Sequence, residues 1–236
     1  MRVALISDVH VVGGPDDPVQ AAFCAWLDAL QVDQLLLLGD IFHAWWGYRD
    51  VVPADLVPTC AALMRVRDRG IAVHMVAGNH DFALGPDFER LLGISVHGPH
   101  VRDLGGKTYF LAHGDEADTS AGYRLTKRVL RGRPFAAFMR VLGPSAGWRL
   151  VRRLAGTARY HPSDPVALRA RQHTYARPHL ERGADYAVMG HIHAPGWSAD
   201  GRVVHLGGWG GDRTWCLVED GLPRLIIGPA GGSAQL

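Results

Sequence analysis

The chain has 236 residues, of which 47% are hydrophobic and 20% charged, so it can bury one substantial core and is not disordered by composition. Three cysteines without paired spacing argue against a disulfide framework and fit a reducing compartment. The apolar run at the amino terminus is too short, and too soon interrupted by Asp8, for a signal peptide. No stretch reaches the roughly eighteen apolar residues of a membrane span, so we expect any membrane contact to be peripheral.

The net charge of +2 conceals an asymmetry along the chain. Residues 124–171 contain twelve of the 25 basic residues but one of the 23 acidic residues, Asp164. This segment therefore carries about +11 and the remainder about −9. Such a division indicates a basic attachment that faces an anionic partner.

The first third of the chain predicts alternating strands and helices. Residues 2–7 form a strand, and Asp17-Pro18 begins a helix. Four consecutive leucines, 35–38, suit a strand buried on both faces. Helical spacing over 56–68 is followed by a third strand, 71–76. This order is typical of an α/β sheet with helical crossovers.

The remainder begins with strands, continues with the basic segment and then returns to strands. Strands are predicted over 94–97 and 107–112, with a turn at Gly105-Gly106. Helical spacing recurs at 123–130, 135–142 and 148–154, and Asp164-Pro165 begins another helix that Pro178 should end or kink. The closing strands are 186–189, 203–206, 214–218 and 224–227, and the last six residues form a loose tail.

Polar residues follow the predicted strands at the points where they end. They comprise Asp8, His10, Asp40, Asn79, His113, His191 and His193. Carboxylate, imidazole and amide groups are ligands for a borderline divalent metal, and the carboxyl ends of parallel strands open onto one crevice. Seven such groups exceed the needs of one ion, whereas two ions about 3.5–4 Å apart that share a carboxylate would use all of them. The other histidines have no such context, and we expect them to be structural.

These residues stand in five blocks that resemble the calcineurin-like metallophosphoesterase superfamily, in order and across almost the whole chain. The blocks are Asp8-x-His10, Gly39-Asp40, Gly78-Asn79-His80-Asp81, His113 and Gly190-His191-x-His193. The resemblance implies that one ion binds Asp8, His10, Asp40 and His193 and the other binds Asp40, Asn79, His113 and His191, with Asp40 bridging. It also implies two facing sheets flanked by helices, in four α/β/β/α layers.

The segments between these blocks are similar to a narrower family, the UDP-2,3-diacylglucosamine hydrolases of lipid A synthesis. The similar segments are 39–47, 78–85, His113-Gly114-Asp115 with Gly122-Tyr123, and Leu206-Gly207-Gly208-Trp209. The resemblance implies hydrolysis of a pyrophosphate to UMP and 2,3-diacylglucosamine 1-phosphate, usually with Mn²⁺, at the cytoplasmic face of the inner membrane. It also implies a helical lid inserted at residues 121–180, between core segments 1–120 and 181–230, with the tail at 231–236.

This chain departs from the narrower family beside the metal blocks. His80 stands where that family has arginine, His43 where an acidic residue is usual, and Tyr48-Arg49 where an acidic pair is expected. His80 is the residue common in the wider superfamily, where it is either a general acid for the leaving group or a group that orients a phosphate oxygen. The departures bear on the substrate rather than on the metals.

The predicted catalytic residues are Asp40, Asn79 and His80, and the predicted substrate contacts are His80, Tyr123, Arg152 and Arg153. Apolar residues within the basic segment suit acyl chains or a bilayer surface, with arginines reaching lipid phosphates. A soluble nucleotide, phosphodiester or phosphoprotein is the alternative substrate. Nucleic acid, as a partner of the same arginines, is not expected; a metal-free scaffold is disfavoured because all seven ligands are present. The oligomeric state is left open.

Overall fold

The structure, a computed structural model, describes residues 1–157 and 164–228. The predicted loose tail at 231–236, and His161 among the histidines expected to be structural, lie outside these ranges. Six helices are described: α1 (Pro18–Ala29), α2 (Val57–Asp68), α3 (Pro86–Leu92), α4 (Ala121–Leu130), α5 (Arg133–Thr157) and α6 (Pro165–Glu181). Within the described ranges, none is long and apolar enough to cross a membrane.

Thirteen strands accompany these helices in the described ranges. They are β1 (Arg2–Ile6), β2 (Gln34–Leu37), β3 (Trp45–Trp46), β4 (Ala72–Val76), β5 (Asp81–Ala83), β6 (Ser95–His97), β7 (His100–Asp103), β8 (Thr108–Ala112), β9 (Tyr186–Met189), β10 (Gly196–Trp197), β11 (Val203–His205), β12 (Thr214–Glu219) and β13 (Leu222–Ile227). One sheet has the order β13-β12-β1-β2-β4-β6, a second has the order β10-β11-β9-β8-β7, and β3 pairs with β5.

The two large sheets face each other in a four-layer sandwich. Strands β1, β2, β4 and β6 run parallel, and β1 and β2 bear alternating residues on two buried faces. In β2, Leu35 and Leu37 pack toward α1 and α2, whereas Leu36 packs toward the second sheet. The other face of that sheet is covered by Ala176 and Leu180 of α6. The α/β/β/α fold predicted from the sequence is confirmed.

Helix α6 decides between the two outcomes predicted at Pro178, an end or a kink. An end is wrong, because the helix continues to Glu181. A proline inside a helix removes one N–H donor and costs roughly 3 kcal/mol. Ala176 and Leu180, on either side of it, are both buried against the second sheet, and this packing offsets the cost. Nearly all of α6 lies within residues 121–180, the predicted lid, yet the helix packs on the sandwich. The division of the chain into core and lid at residues 120 and 180 stays a prediction.

Helices α4 and α5, called the outer helices below, lie beside the short β3–β5 pair. Trp46 and Phe82 of that pair pack against Met139 and Val151 of α5. The helical path of α5 is broken at Gly143, where φ is 76°, at the Gly143-Pro144 break predicted from the sequence. The sequence analysis missed the β3–β5 pair and α3, because both are too short to show a period.

Candidate metal centre

Five strand ends deliver the predicted ligands to one edge of the sandwich. Strands β1, β2 and β4 lead into the loops of the first sheet that carry Asp8, His10, Asp40 and Asn79, and β8 and β9 lead into the loops of the second sheet that carry His113, His191 and His193. The main-chain N–H of His191 donates to Asp8 Oδ2 at 2.7 Å, which joins the two sheets directly. All seven residues therefore come together although they are spread over most of the chain.

The backbone at this edge adopts a conformation that residues other than glycine rarely adopt. Five of the seven residues have positive φ: Asp8 (53°), His10 (53°), Asp40 (54°), His191 (71°) and His193 (40°). Each such residue costs of the order of 1 kcal/mol, and conformations of this kind concentrate at functional sites. The strain indicates that the positions of these side chains have a function other than stability.

One group of ligand atoms surrounds Asp8. Its Oδ1 lies 3.3 Å from His193 Nε2, and the Nε2 atoms of His10 and His193 are 3.1 Å apart. Asp8 is 1% exposed, and Asp8 Oδ1 and His10 Nδ1 have no hydrogen-bond partner within the described residues. A buried carboxylate oxygen without a donor is costly unless a cation approaches it.

A second group surrounds His113. Its Nε2 lies 3.1 Å from Asn79 Oδ1 and 3.4 Å from Asp40 Oδ2, and its ring centroid is 5.3 Å from that of His191. Asp40 Oδ2 also lies 3.9 Å from His10 Nε2 in the first group. Asp40 thus stands between the two groups, as a bridging carboxylate would.

Hydrogen bonds outside these groups orient the ligand rings. His113 Nδ1–H donates to the Leu38 carbonyl at 2.7 Å, so its Nε2 lone pair faces the centre. Asp81 accepts the main-chain N–H groups of Asp40 and Gly78, both at 2.9 Å, and links the two loops. Burial, with the nearby Asp40 charge, raises the pKa of Asp81 to about 6. Neither the Asp81 bridge nor its role was predicted.

The electrostatics follow from several titratable groups that share one buried space. Burial lowers the pKa of His10 to about 4, against the attraction of Asp40 and Asp8. Burial also opposes protonation of His113, but the carboxylates of Asp40, Asp8 and Asp115 together outweigh it and raise the pKa of that imidazole well above its usual value. A bound cation would displace the His113 proton, since metal binding to histidine releases protons.

The donor set fits divalent cations. Ligand atoms within 4.8 Å of one another, in the described part of the chain, form three sets: Asp8, His10 and His193; Asp8, Asp40 and His113; and His10, His43 and His80. Mixed oxygen and imidazole donors suit borderline metals. The third set contains His43, which the sequence analysis named only as a departure from the narrower family.

The predicted substrate contacts lie in three places. The His80 ring is 4.7 Å from the His10 ring, and its Nδ1–H donates to the His43 carbonyl at 2.7 Å. The Tyr123 hydroxyl donates to the buried Asp115 carboxylate, so it anchors α4 to the loop after β8. Arg152 pairs with Asp55 at 3.3 Å, and Arg153 is exposed.

A cavity of about 330 Å³ lies between the loop after β2 and α5. Its polar lining includes His43, Arg149 and Arg152, and its apolar lining includes Leu56 and Trp148. Because His43 also contacts the metal-centre histidines, the cavity begins beside that centre. Its walls suit a ligand that has both an anionic and an apolar part.

Comparison with known proteins gives a family model and relatives that match most of the chain. The family model described as "Calcineurin-like phosphoesterase" matches residues 1–195. A UDP-2,3-diacylglucosamine hydrolase from Pseudomonas putida is 32% identical over 92% of this chain and 95% of its own length. Another protein of that name, from Chromohalobacter salexigens, is 33% identical over 96% of both. Among solved structures, an E. coli phosphoesterase shares 17% identity with a TM-score of 0.45, over 96% of this chain and 92% of its own.

Proposed function

Because this chain belongs to the calcineurin-like phosphoesterase family and is a metal-dependent hydrolase, we propose that it hydrolyses the pyrophosphate of UDP-2,3-diacylglucosamine to UMP and 2,3-diacylglucosamine 1-phosphate. The observation that carries the proposal is the mixed cavity beside the gathered ligands. Relatives named UDP-2,3-diacylglucosamine hydrolase match nearly the full length of the chain. The cytoplasmic face of the inner membrane would be its place of action.

In this proposal the seven residues would hold two divalent cations, Mn²⁺ by preference, and Asp40 would be a ligand of both. When bound, such a pair lowers the pKa of a water and neutralises charge that develops on phosphorus. Hydrolysis forms one bond from water oxygen to phosphorus and breaks the phosphorus–oxygen bond of the anhydride. The chain's own residues bind the substrate, orient it and manage the proton of the leaving group.

His80 is the residue placed to act on the leaving group. Its Nδ1–H is engaged by the His43 carbonyl, which fixes the ring and leaves Nε2 for the substrate. From there it either donates a proton to the departing phosphate or holds one of its oxygens. Arg149 and Arg152 in the cavity wall would bind the second phosphate, and Trp148 and Leu56 would contact an acyl chain.

The outer helices supply the proposed membrane contact. They expose Leu125 (61%), Val129 (55%), Phe138 (51%) and Val141 (90%), interspersed with exposed arginines. A face with both apolar and cationic groups binds the interface of an anionic bilayer, where the lipid substrate resides.

The test is hydrolysis by purified protein with MnCl₂ and UDP-2,3-diacylglucosamine in mixed micelles, measured as UMP released. We expect turnover of the lipid and little turnover of UDP-N-acetylglucosamine, which lacks the acyl chains. An aryl phosphodiester serves as the second comparison substrate. Hydrolysis of that diester with none of the lipid would instead assign the protein to soluble phosphoesters, the alternative that His80 favours.

A further inference from the structure

Three glycine carbonyls adjoin three of the predicted metal ligands. The pairs are Gly78 with Asn79, Gly114 with His113, and Gly190 with His191. Together with Asp40, the family pattern assigns these three ligands to one ion. A movement of any of these carbonyls would displace the neighbouring ligand, because each pair shares a peptide plane or adjoins one.

Side chains from two helices hold these carbonyls. Arg131, which caps the end of α4, donates from Nη2 to the Gly78 carbonyl at 2.7 Å. Gln172 of α6 donates from Nε2 to the Gly190 carbonyl at 2.9 Å and, more weakly, to the Gly114 carbonyl at 3.5 Å. A hydrogen bond from a charged guanidinium to a part-buried carbonyl is among the stronger kinds.

The Gln172 side chain is itself held in place. It is 1% exposed, and its Oε1 accepts a hydrogen bond from His205 Nδ1 at 2.8 Å, which fixes the amide with its Nε2 toward the glycine carbonyls. A Cβ at Gly114 would lie 2.2 Å from Gln172 Nε2. The close approach explains why a residue without a side chain stands after His113.

The other group of ligands is held differently. The main-chain N–H of Asp8 donates to the Gly39 carbonyl at 3.0 Å, that of His10 to the Asp40 carbonyl at 3.0 Å, and that of Trp209 to the Asp8 carbonyl at 3.1 Å. These contacts are between main-chain groups of the sandwich itself. Arg131 therefore contacts the loop of one group only, whereas the Gly190–His191 peptide held by Gln172 also reaches the other group, through the hydrogen bond from the His191 N–H to Asp8 Oδ2.

We propose that Arg131 and Gln172 are positioning residues chiefly for one ion, the one predicted at Asn79, His113 and His191. They act through glycine carbonyls and touch neither the ion nor the substrate. The proposal rests on the two-cation centre of the proposed function but not on the lipid substrate. Outer-shell partners of this kind typically change metal affinity by about 10–100-fold when removed.

The experiment is calorimetric titration of the metal-free protein with MnCl₂, checked by the metal content of the desalted protein. We expect two Mn²⁺ per wild-type chain. In Arg131→Met, one site should keep its affinity while the other weakens about 10–100-fold. Gln172→Leu should weaken the same site most and the other site less, because the N–H of the peptide that Gln172 holds also donates to Asp8. Arg131→Lys should recover part of the loss, since an ammonium can donate to the same carbonyl. Arg128→Met, which removes an exposed cation from the same helix, should leave both sites unchanged.

Double variants identify which ion is affected. Asn79→Ala already removes a ligand of the ion in question, so Arg131→Met should cause no further loss of Mn²⁺ affinity in that background. In the His193→Ala background, which removes a ligand of the other ion, Arg131→Met should weaken binding of the ion that remains. Equal weakening of both sites, or full additivity with Asn79→Ala, would overturn the proposal, as would wild-type affinity in Arg131→Met. Should Gln172→Leu fail to fold, the variants of the exposed Arg131 decide the question.

This readout separates the inference from the proposed function. If the wild-type chain binds two Mn²⁺ but releases no UMP from the lipid, the substrate assignment is wrong and the positioning test stays valid. A wild-type chain that binds fewer than two ions overturns the two-cation centre, and the positioning roles with it.

Discussion

The strands of the sandwich bury apolar side chains, whereas helix α4 turns polar side chains inward. In β1, Val3 to Ile6 are all 0% exposed. In α4, by contrast, no residue is buried, and Leu125 is 61% exposed. The inward side of α4 is polar: Tyr123 and Lys127 both donate to the buried Asp115.

The difference shows that the two regions are held by different forces. The sandwich is stabilised by apolar burial, whereas α4 is positioned by charged hydrogen bonds to loops that carry predicted metal ligands. Tyr123, Lys127 and Arg131 are spaced four residues apart, so they lie on one face of the helix. Leu125 and Val129 are exposed on the other side of α4, and only Leu130, at its end, packs beside the β3–β5 pair.

The largest expected effect separates catalysis from substrate binding. Asp40→Ala in the sandwich should abolish turnover, a loss of roughly a thousand-fold or more, because it removes the carboxylate that we propose both ions share. Arg149→Ala in α5 should mainly raise KM for the lipid and leave kcat nearly unchanged, because it removes a cation from the cavity wall. Steady-state kinetics on UDP-2,3-diacylglucosamine measure both, and a fall in kcat alone for Arg149→Ala would contradict the comparison.

The next effect concerns stability and uses one substitution in both regions. Leu37→Ala removes a side chain that is 0% exposed in the sandwich and should cost about 2–5 kcal/mol of unfolding free energy. Leu125→Ala on α4 should change it by less than about 0.5 kcal/mol, because that side chain is 61% exposed. Urea denaturation of the metal-free proteins gives both values. Similar losses of unfolding free energy at the two positions would mean that Leu125 packs against an apolar partner.

The smallest effect is on stability and concerns the contact between α6 and the second sheet, where Gln172 meets His205. Burial lowers the pKa of His205 to about 4, so the unfolded chain binds its proton more tightly than the folded one. Its contribution to stability is present above the unfolded pKa near 6.5 and is lost as the pH falls toward 4, by up to about 3 kcal/mol.

This prediction is measured as the unfolding free energy of metal-free protein between pH 7 and 4. His205→Gln removes the titrating group while it retains an N–H donor for Gln172, so its loss over this range should be smaller than that of the wild type. Identical slopes for the two proteins would show that other groups govern the acid side.

Much of the fold was predictable because its strands and helices are specified by signals within short segments of the sequence. The leucines of β2 and the capped start of α1 at Asp17 are local signals, and both elements form where the sequence indicated. The predicted ligands could be named for the same reason, since each follows a strand end, and the structure brings all seven to one edge.

The supporting residues carried no such signal. Gln172 lies far in sequence from the glycine carbonyls and the His205 ring that it contacts, and nothing in its immediate neighbours distinguishes it. His43 and Asp115 stand in segments that resemble the narrower family, but their hydrogen bonds to His80 and Lys127 were not predicted. Arg131 looked like one more cation in a basic segment. Only its spacing from Tyr123 and Lys127, four residues at a time, hinted at a shared face.

The amino-acid sequence by itself determined the alternation of strands and helices, the ligand types at the strand ends and the family to which the chain belongs. Local backbone preferences and the burial of apolar runs act over a few residues, so they can be inferred without a fold. Only the tertiary structure decided which side chains hold the ligand loops, that α6 continues through Pro178, and that α4 turns its polar face inward. Those outcomes depend on contacts between distant segments, and their energies exist only once the sheets have assembled.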